Sequence, residues 1–194
     1  MTTIHTGNTT TTGFVVDADN TGNLIIKTGG AGGTTALTID DSQTATFANQ
    51  PVVPVPVFMA YRDTSTQSVT SGTNTKVQLN ALEYDTNSWF DATTNYRYTP
   101  QIAGYYQFNA LIYFSGTGLT NGTARIYKNG NVTIDGHFLS TTSATFIYAM
   151  SSGVIYLNGT TDYVELFGYV SGTNPLIRND VNKTWLQGFL VRAT

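Results

Sequence analysis

Apolar and polar positions alternate with a period of two along most of this chain, which is the pattern of β-strands exposed on one face. Short alternating runs bounded by Gly, Asn, Asp and Ser follow one another, and no run has the period of an amphipathic helix. Asn129-Gly130 is suited to a type I′ hairpin turn. The strands predicted after residue 57 are 58–61, 76–84, 96–99, 105–115, 124–128, 132–140, 145–157, 163–170 and 185–192. This order predicts an all-β, antiparallel sandwich or barrel.

The first 50 residues differ in texture from the rest, since they are rich in Gly and Thr and carry only brief apolar runs. They predict two short hairpins, with strands at 13–17, 22–28, 35–40 and 44–48. So few large side chains bury little apolar surface, so these hairpins need a partner surface. The three prolines of residues 51–57 predict an extended linker. The predicted organisation is an anchoring segment at 1–50, a Pro-rich linker at 51–57 and a head at 58–194.

Composition and charge narrow the classes of function. The net charge is −3 and charged residues make up 11% of the chain, so no basic field is present to attract nucleic acid. The chain has no cysteine, which excludes disulfides and thiolate metal sites. No apolar run is long enough to span a membrane, and the first residues lack the pattern of a secretory signal. We expect neither nucleic-acid binding nor membrane insertion.

Candidate chemistry is sparse. The only histidines are His5 and His137, and no strained nucleophile turn accompanies them, so we predict no catalytic residues, no enzyme activity and no cofactor. Asp85 and Asp91 flank a polar loop that could take calcium, but no known ligand spacing supports a site. Trp89 could stack on a sugar, while a buried Trp at a strand edge is the commoner alternative.

Five short motifs in order resemble landmarks of one jelly-roll family. They are Phe58-Met59-Ala60-Tyr61-Arg62, Gly104-Tyr105-Tyr106-Gln107-Phe108, Tyr127-Lys128-Asn129-Gly130, Leu157-Asn158-Gly159-Thr160-Thr161-Asp162-Tyr163-Val164 and Trp185-Leu186-Gln187-Gly188-Phe189-Leu190. Over residues 58–194 the chain resembles the globular head of complement component 1q, of the superfamily that includes tumour necrosis factor. The resemblance implies a jelly-roll β-sandwich that associates as a homotrimer around an apolar axis.

Aromatic side chains are more numerous than one small sandwich usually hides. We therefore predict that some fill the core and others line a trimer interface. Gly188 is expected to mark a close approach between strands, and Phe189→Asp is expected to abolish folding. The predicted core or trimer aromatics are Tyr106, Phe108, Tyr113, Phe167, Trp185 and Phe189.

The segments 21–30 and 36–40 resemble stretches of structural proteins from tailed phages. This resemblance implies a protein of the virion surface. In the preferred reading it is a capsid decoration protein, a cement or head-spike protein, bound to a capsid or tail protein through residues 1–50. In the alternative it is a tail-fibre or tail-spike adhesin, and outward loops at 64–74, 117–122 and 171–174 meet a host glycan or receptor.

Overall fold

A computed structural model of the chain describes residues 15–18, 22–28, 33–49 and 55–194. The chain divides into two compact units, Met1–Pro54 and Val55–Thr194. Most of the predicted linker, residues 51–54, lies outside the described residues, as do His5, residues 13–14 and most of the Gly-rich run at 29–33. Of the described residues, none belongs to a helix long and apolar enough to cross a membrane.

The first unit contains an antiparallel sheet in sequence order, which we call the N-terminal sheet. Its strands are β1 (Val15–Ala18), β2 (Leu24–Thr28), β3 (Thr34–Ile39) and β4 (Ala45–Phe47). The four predicted strands are confirmed, but they form one meander and not two separate hairpins, because β2 also pairs with β3. In the turn before β4, the Asp40 carboxylate accepts the Thr44 N–H at 2.7 Å, and Gln43 has a φ of 64°.

The second unit, which we call the head, is built from eleven strands within residues 55–194. They are β5 (Val57–Tyr61), β6 (Gln67–Ser68), β7 (Thr75–Lys76), β8 (Ala81–Asp85), β9 (Phe90–Asp91), β10 (Arg97–Tyr98), β11 (Gly104–Lys128), β12 (Asn131–Asp135), β13 (Leu139–Leu157), β14 (Val164–Ile177) and β15 (Trp185–Ala193). All their pairings are antiparallel.

The long strand β11 belongs to two layers of the head. Its first third, from Gly104 to Leu111, lies between β15 and β13, while its last residues, Arg125 to Lys128, lie between β14 and β12. The first layer therefore runs β8-β5-β15-β11-β13 and the second β9-β10-β14-β11-β12. The short strands β6 and β7 pair with β14.

The two layers pack face to face over an aromatic core. Phe58 of the first layer stacks on Tyr98 of the second with ring centroids 4.1 Å apart, and both rings contact Phe108. Gly188 lies between Phe58 and Phe108 on the two neighbouring strands of the first layer, and a Cβ added there would come within 2.8 Å of the Phe108 ring. This observation gives the physical reason for the glycine that the sequence predicts at a close approach.

Several predicted strand boundaries in the head are wrong. The predicted strand 76–84 is two strands, β7 and β8, which pair with different partners; Val77 and Leu79 between them are fully buried. The predicted strand 132–140 breaks after β12, where Gly136 N–H bonds to Ala124 and His137 N–H bonds to Met150. Burial of a connecting segment produces the same apolar pattern as a strand, so alternation alone does not locate these breaks.

The other errors concern two segments predicted as loops. Residues 117–122 lie within β11, and residues 171–174 lie within β14. The two segments pair with each other, with Thr117 opposite Thr173 and Asn121 opposite Ser171, through an irregular register. The glycines Gly118 and Gly172 have positive φ angles of 58° and 158° and allow this irregular ladder. The predicted I′ turn is confirmed, since Asn129 and Gly130 have φ angles of 52° and 77°.

Candidate self-association interface

The outward side of the first layer is apolar where a sheet facing water would be polar. Along β13, Ile147 and Ala149 point into the core, while Phe146, Tyr148 and Met150 alternate with them and are 54%, 48% and 61% exposed. Apolar side chains therefore occupy both faces of this strand. That pattern is typical of a strand buried on both sides, and here the described residues of the head cover only one side.

The neighbouring strand β11 continues this surface. Tyr113 lies opposite Tyr148, and their rings stack with centroids 4.4 Å apart and planes 6° from parallel. Leu111 lies opposite Met150, and no outward residue of the β11–β13 ladder between residues 104–115 and 146–157 is charged. We call this surface the apolar face; its central members are Tyr105, Leu111, Tyr113, Phe146, Tyr148 and Met150.

A small polar cluster within the apolar face satisfies its own hydrogen bonds. Gln107 Nε2 donates to Ser152 Oγ at 3.0 Å and to Asn109 Oδ1 at 3.2 Å, and Ser152 Oγ donates to Asn109 Oδ1 at 2.7 Å. Burying polar groups costs free energy chiefly when they lose hydrogen bonds to water without replacement. Because these three side chains bond to one another, a partner could cover them at reduced cost.

The six predicted core or trimer aromatics separate into three groups. Tyr106 and Phe108 are fully buried in the core, where burial raises the pKa of Tyr106 to about 12 and its hydroxyl donates to the Ile102 carbonyl at 2.8 Å. Phe167 lies on the second layer, stacked on Tyr127 at 3.9 Å. The remaining three, Tyr113, Trp185 and Phe189, lie on the outward side of the first layer.

Phe189 corrects one expectation in particular. Its side chain lies opposite Gln107 in the ladder and is 42% exposed, so it does not belong to the core of the protomer. Phe189→Asp should therefore spare the fold of the head and affect whatever covers the apolar face. The outward residues Met150, Val154 and Tyr156 were not among the predicted site residues, although the alternation of large side chains from Phe146 onward is the signal for them.

The carboxylates of the head mostly hold loops and strands in place. Asp85 accepts the Phe90 N–H at 2.8 Å, and Asp91 accepts the N–H groups of Thr93 and Thr94, each at 2.9 Å. The hydrogen bonds from Thr94 and Thr93 lower the pKa of Asp91 well below its usual range. Within the described residues, no three His, Cys, Asp or Glu side chains are grouped so that they could hold a metal ion. Calcium binding at this loop stays a prediction without assigned ligands.

Trp89 borders a polar cleft of about 350 Å³ beside β9 and β10. Its ring also packs against the core, 6.2 Å from the ring of Tyr98, so it is partly buried. The Arg97 guanidinium lies over the Tyr163 ring at 4.3 Å, which fixes a cation at the cleft. The other polar side chains that line it are Ser88, Asp91, Asn95, Thr99, Gln101 and Thr160.

Two antiparallel layers joined by a strand that passes from one to the other define a jelly-roll sandwich, which confirms the predicted fold class. Murine APRIL at pH 5.0 is similar, with 15% identity, a TM-score of 0.56, and coverage of 71% of this chain and 100% of that one. The globular domain of zebrafish complement 1qA gives 15% identity, a TM-score of 0.53 and coverage of 72% and 99%. The Eiger TNF of S. frugiperda is similar with 9% identity and a TM-score of 0.56, and the match covers 73% of this chain and 96% of that one.

These likenesses establish the fold alone, which is that of the tumour necrosis factor and complement 1q jelly rolls. No protein-family model matches the sequence, and no curated protein matches it.

Proposed function

We propose that this protein is a non-enzymatic structural protein of a tailed-phage virion, a homotrimer that decorates the capsid surface. The observation that carries the proposal is the apolar face. An uncharged aromatic surface of this extent, left in water, promotes association, and a fixed partner of the same shape turns association into a defined oligomer. The resemblance of the head to complement 1q supports three copies.

The virion assignment draws on the first unit. The phage-like segments at 21–30 and 36–40 fall largely on β2 and β3, so they belong to the N-terminal sheet. In the proposal, residues 1–50 attach the trimer to a capsid or tail protein, and the heads project from the virion surface.

The self-association is tested by sedimentation of the full chain at micromolar concentration. The wild type is expected to have the mass of a trimer. Tyr148→Asp places a charge in the centre of the apolar face and should give monomers with an unchanged circular dichroism spectrum. The matched control is Thr133→Asp, at an exposed position of β12 in the second layer, and should stay trimeric. A monomeric wild type would refute the proposal.

The virion assignment is tested by counting this chain on purified particles. Hundreds of copies per particle are expected for a capsid decoration protein, and their loss should leave tails intact. A handful of copies confined to the tail would favour the adhesin, and absence from the particle would refute both roles.

A second candidate function, that of a tail-fibre or tail-spike adhesin, is favoured by the cleft at Trp89. An aromatic ring beside fixed polar groups is a suitable surface for one sugar unit, since the ring covers the apolar side of a pyranose and the polar groups bond its hydroxyls. Gln101, Thr99 and Arg97 supply amide, hydroxyl and guanidinium groups along one side of the cleft.

Binding of host-surface oligosaccharides, measured by saturation-transfer NMR, tests this second candidate. The wild type should show transfer to one terminal sugar, and Trp89→Phe with Gln101→Ala should abolish it. Thr133→Ala, away from the cleft, should bind as the wild type does. Equal transfer in all three proteins, or none in any, would exclude the cleft as a glycan site.

A further inference from the structure

We propose that the N-terminal sheets of three copies pack against one another through a single apolar face, so that the trimer has a second zone of contact beyond the heads. This inference rests on the proposed homotrimer and adds what holds the first fifty residues together. Three features carry it: the register of the strands, the exposure of Leu24 and Phe47, and the short tether to the head.

The register places large apolar side chains together on one face of the sheet. Leu24 lies opposite Ile39, and Leu37 lies opposite both Ile26 and Phe47. Directly paired residues project to the same side of a sheet, and residues two apart along a strand share that side. We call this surface the sheet face; it comprises Leu24, Ile26, Leu37, Ile39, Ala45 and Phe47.

The opposite side of the same sheet is mostly polar. Ile25 lies opposite Thr38, which in turn lies opposite Thr46, and Lys27 follows Ile25 on that side of β2. The sheet is thus one-sided, with its apolar residues gathered where a second layer would lie. Such a one-sided sheet is typical of a sheet with one face buried and the other face exposed to water.

Among the described residues, the sheet face is only partly covered. Of the residues described at 22–28 and 33–49, none is buried, and Phe47 and Leu24 are 49% and 37% exposed. Covering these side chains would add apolar burial, which offsets the loss of backbone entropy in a small sheet. In the proposal, other copies of the chain supply this cover.

A second and third copy of the same sheet supply that layer. None of the six members of the sheet face is charged, so this surface suits an uncharged partner. The sheet face of a second copy is such a partner. The chain from Asn49 to Val55 can reach at most about 20 Å, so a trimer of heads would tether the three sheets to one another. In a trimer the effective concentration of the three sheet faces is then on the order of 1 mM or more. Three identical one-sided sheets can cover one another around the same axis.

The test uses the full chain with the photo-crosslinker p-benzoylphenylalanine in place of Phe47, on the sheet face, irradiated in purified protein without particles. We expect covalent dimers and trimers of this chain. The matched control carries the same crosslinker in place of Thr46, one residue away on the opposite side, and should give none. Adding Tyr148→Asp should abolish the cross-links, because a monomeric head no longer gathers the sheets.

The outcomes separate this inference from the proposed function. A wild type of trimeric mass without cross-links between copies from position 47 overturns the inference and leaves the trimer intact. Cross-links only to a virion protein, and only when particles are added, also overturn it, since the sheet face would then be the anchoring surface. A monomeric wild type would remove both proposals together.

Discussion

The head and the N-terminal sheet show the same alternation of apolar and polar side chains, but they bury very different fractions of their apolar side chains. In the head, the inward residues of one layer meet those of the other, and Phe58, Phe108 and Leu186 are fully buried. In the N-terminal sheet, none of the apolar residues described at 22–28 and 33–49 is buried, and Phe47 and Leu24 are 49% and 37% exposed. Alternation along a strand therefore determines which face is apolar, whereas burial depends on whether the chain also supplies a second layer.

The apolar face of the head resembles the N-terminal sheet, because its apolar side chains are also only partly covered. Its residues alternate correctly and its strands are well paired, yet Met150 and Phe146 remain more than half exposed. Both regions have apolar surfaces that the described residues leave partly exposed. The comparison separates surfaces that stabilise the protomer from surfaces that would contribute only once a partner covers them.

Removing a core ring should have the largest effect and tests the head side of this comparison. Phe58→Ala deletes a side chain that stacks on Tyr98 at 4.1 Å and on Phe90 at 5.5 Å between the layers. The expected loss is about 3–5 kcal/mol in the free energy of unfolding, measured by denaturant titration. The matched control is Phe146→Ala, on the apolar face, which should change the stability of a monomeric head by less than about 1 kcal/mol. Equal losses for the two variants would contradict the division into core and apolar face.

A polar network around Asp162 in the head predicts the next largest loss of stability, that of Asp162→Asn, and the pH dependence of this loss. Asp162 binds Lys128 Nζ at 2.8 Å, Asn129 Nδ2 at 2.7 Å and the Asn158 N–H at 3.0 Å, which ties the I′ turn to the loop before β14. Burial would raise the pKa of Asp162, but the hydrogen bonds from Lys128 and Asn129 outweigh it and leave the pKa below its usual value. Asp162→Asn should cost about 2–3 kcal/mol at pH 7.

The sign of the pH dependence follows from the lowered pKa. A carboxyl whose pKa is lower in the folded state stabilises the fold above its unfolded pKa, about 3.9, and this contribution is lost as the pH falls through the folded pKa. The gap between wild type and Asp162→Asn in thermal melts should therefore be constant near neutral pH and shrink below about pH 4. A gap that widens on acidification would rule out the ionised network.

Gly188→Ala should have a somewhat smaller effect, by overpacking the same core. The new methyl group would lie 2.8 Å from the Phe108 ring and 2.9 Å from the Phe58 ring, and both rings are fully buried. The expected cost is about 1–3 kcal/mol, measured by denaturant titration. Gly118→Ala, where the added group would come no nearer than 4.0 Å to another side chain, gives a control for backbone strain at a positive φ. A neutral Gly188→Ala would show that the Phe58 and Phe108 rings do not pack tightly over this glycine.

The sequence predicts the fold class well because alternation and turn residues are local. The I′ turn at Asn129-Gly130 and the strands of the N-terminal sheet follow from residues within a few positions of each other. The break between β7 and β8 does not, since Val77 and Leu79 are apolar owing to the core around a connecting segment. The joining of two predicted strands into β11 depends on pairing with β13 and β14, which are distant in sequence.

The candidate interface is predictable only in part for the same reason. Large aromatics at alternate positions show that one side of β13 is apolar, but they do not show which side meets the second layer. Phe189 and Phe108 look alike in sequence, and only the register of β15 against β11 places one outside and the other inside. A one-residue shift of β15 would turn Phe189 toward the core.

The smallest expected effect comes from a substitution within the N-terminal sheet, compared with one in the core of the head. In the monomeric Tyr148→Asp background, Leu79→Ala removes a fully buried core side chain and should cost about 2–5 kcal/mol. Leu37→Ala removes a side chain of the same type from the sheet face and should cost less there, about 1 kcal/mol, because Leu37 is only partly buried. Hydrogen exchange at the amides of β2 and β3 reports this local stability directly. In the wild type, which we propose is a trimer, Leu37→Ala should cost more than in the monomer, since the copies would then cover it. If Leu37→Ala has the same small effect in both backgrounds, the sheet face gains nothing from trimerisation, and only the head would be a true self-association surface.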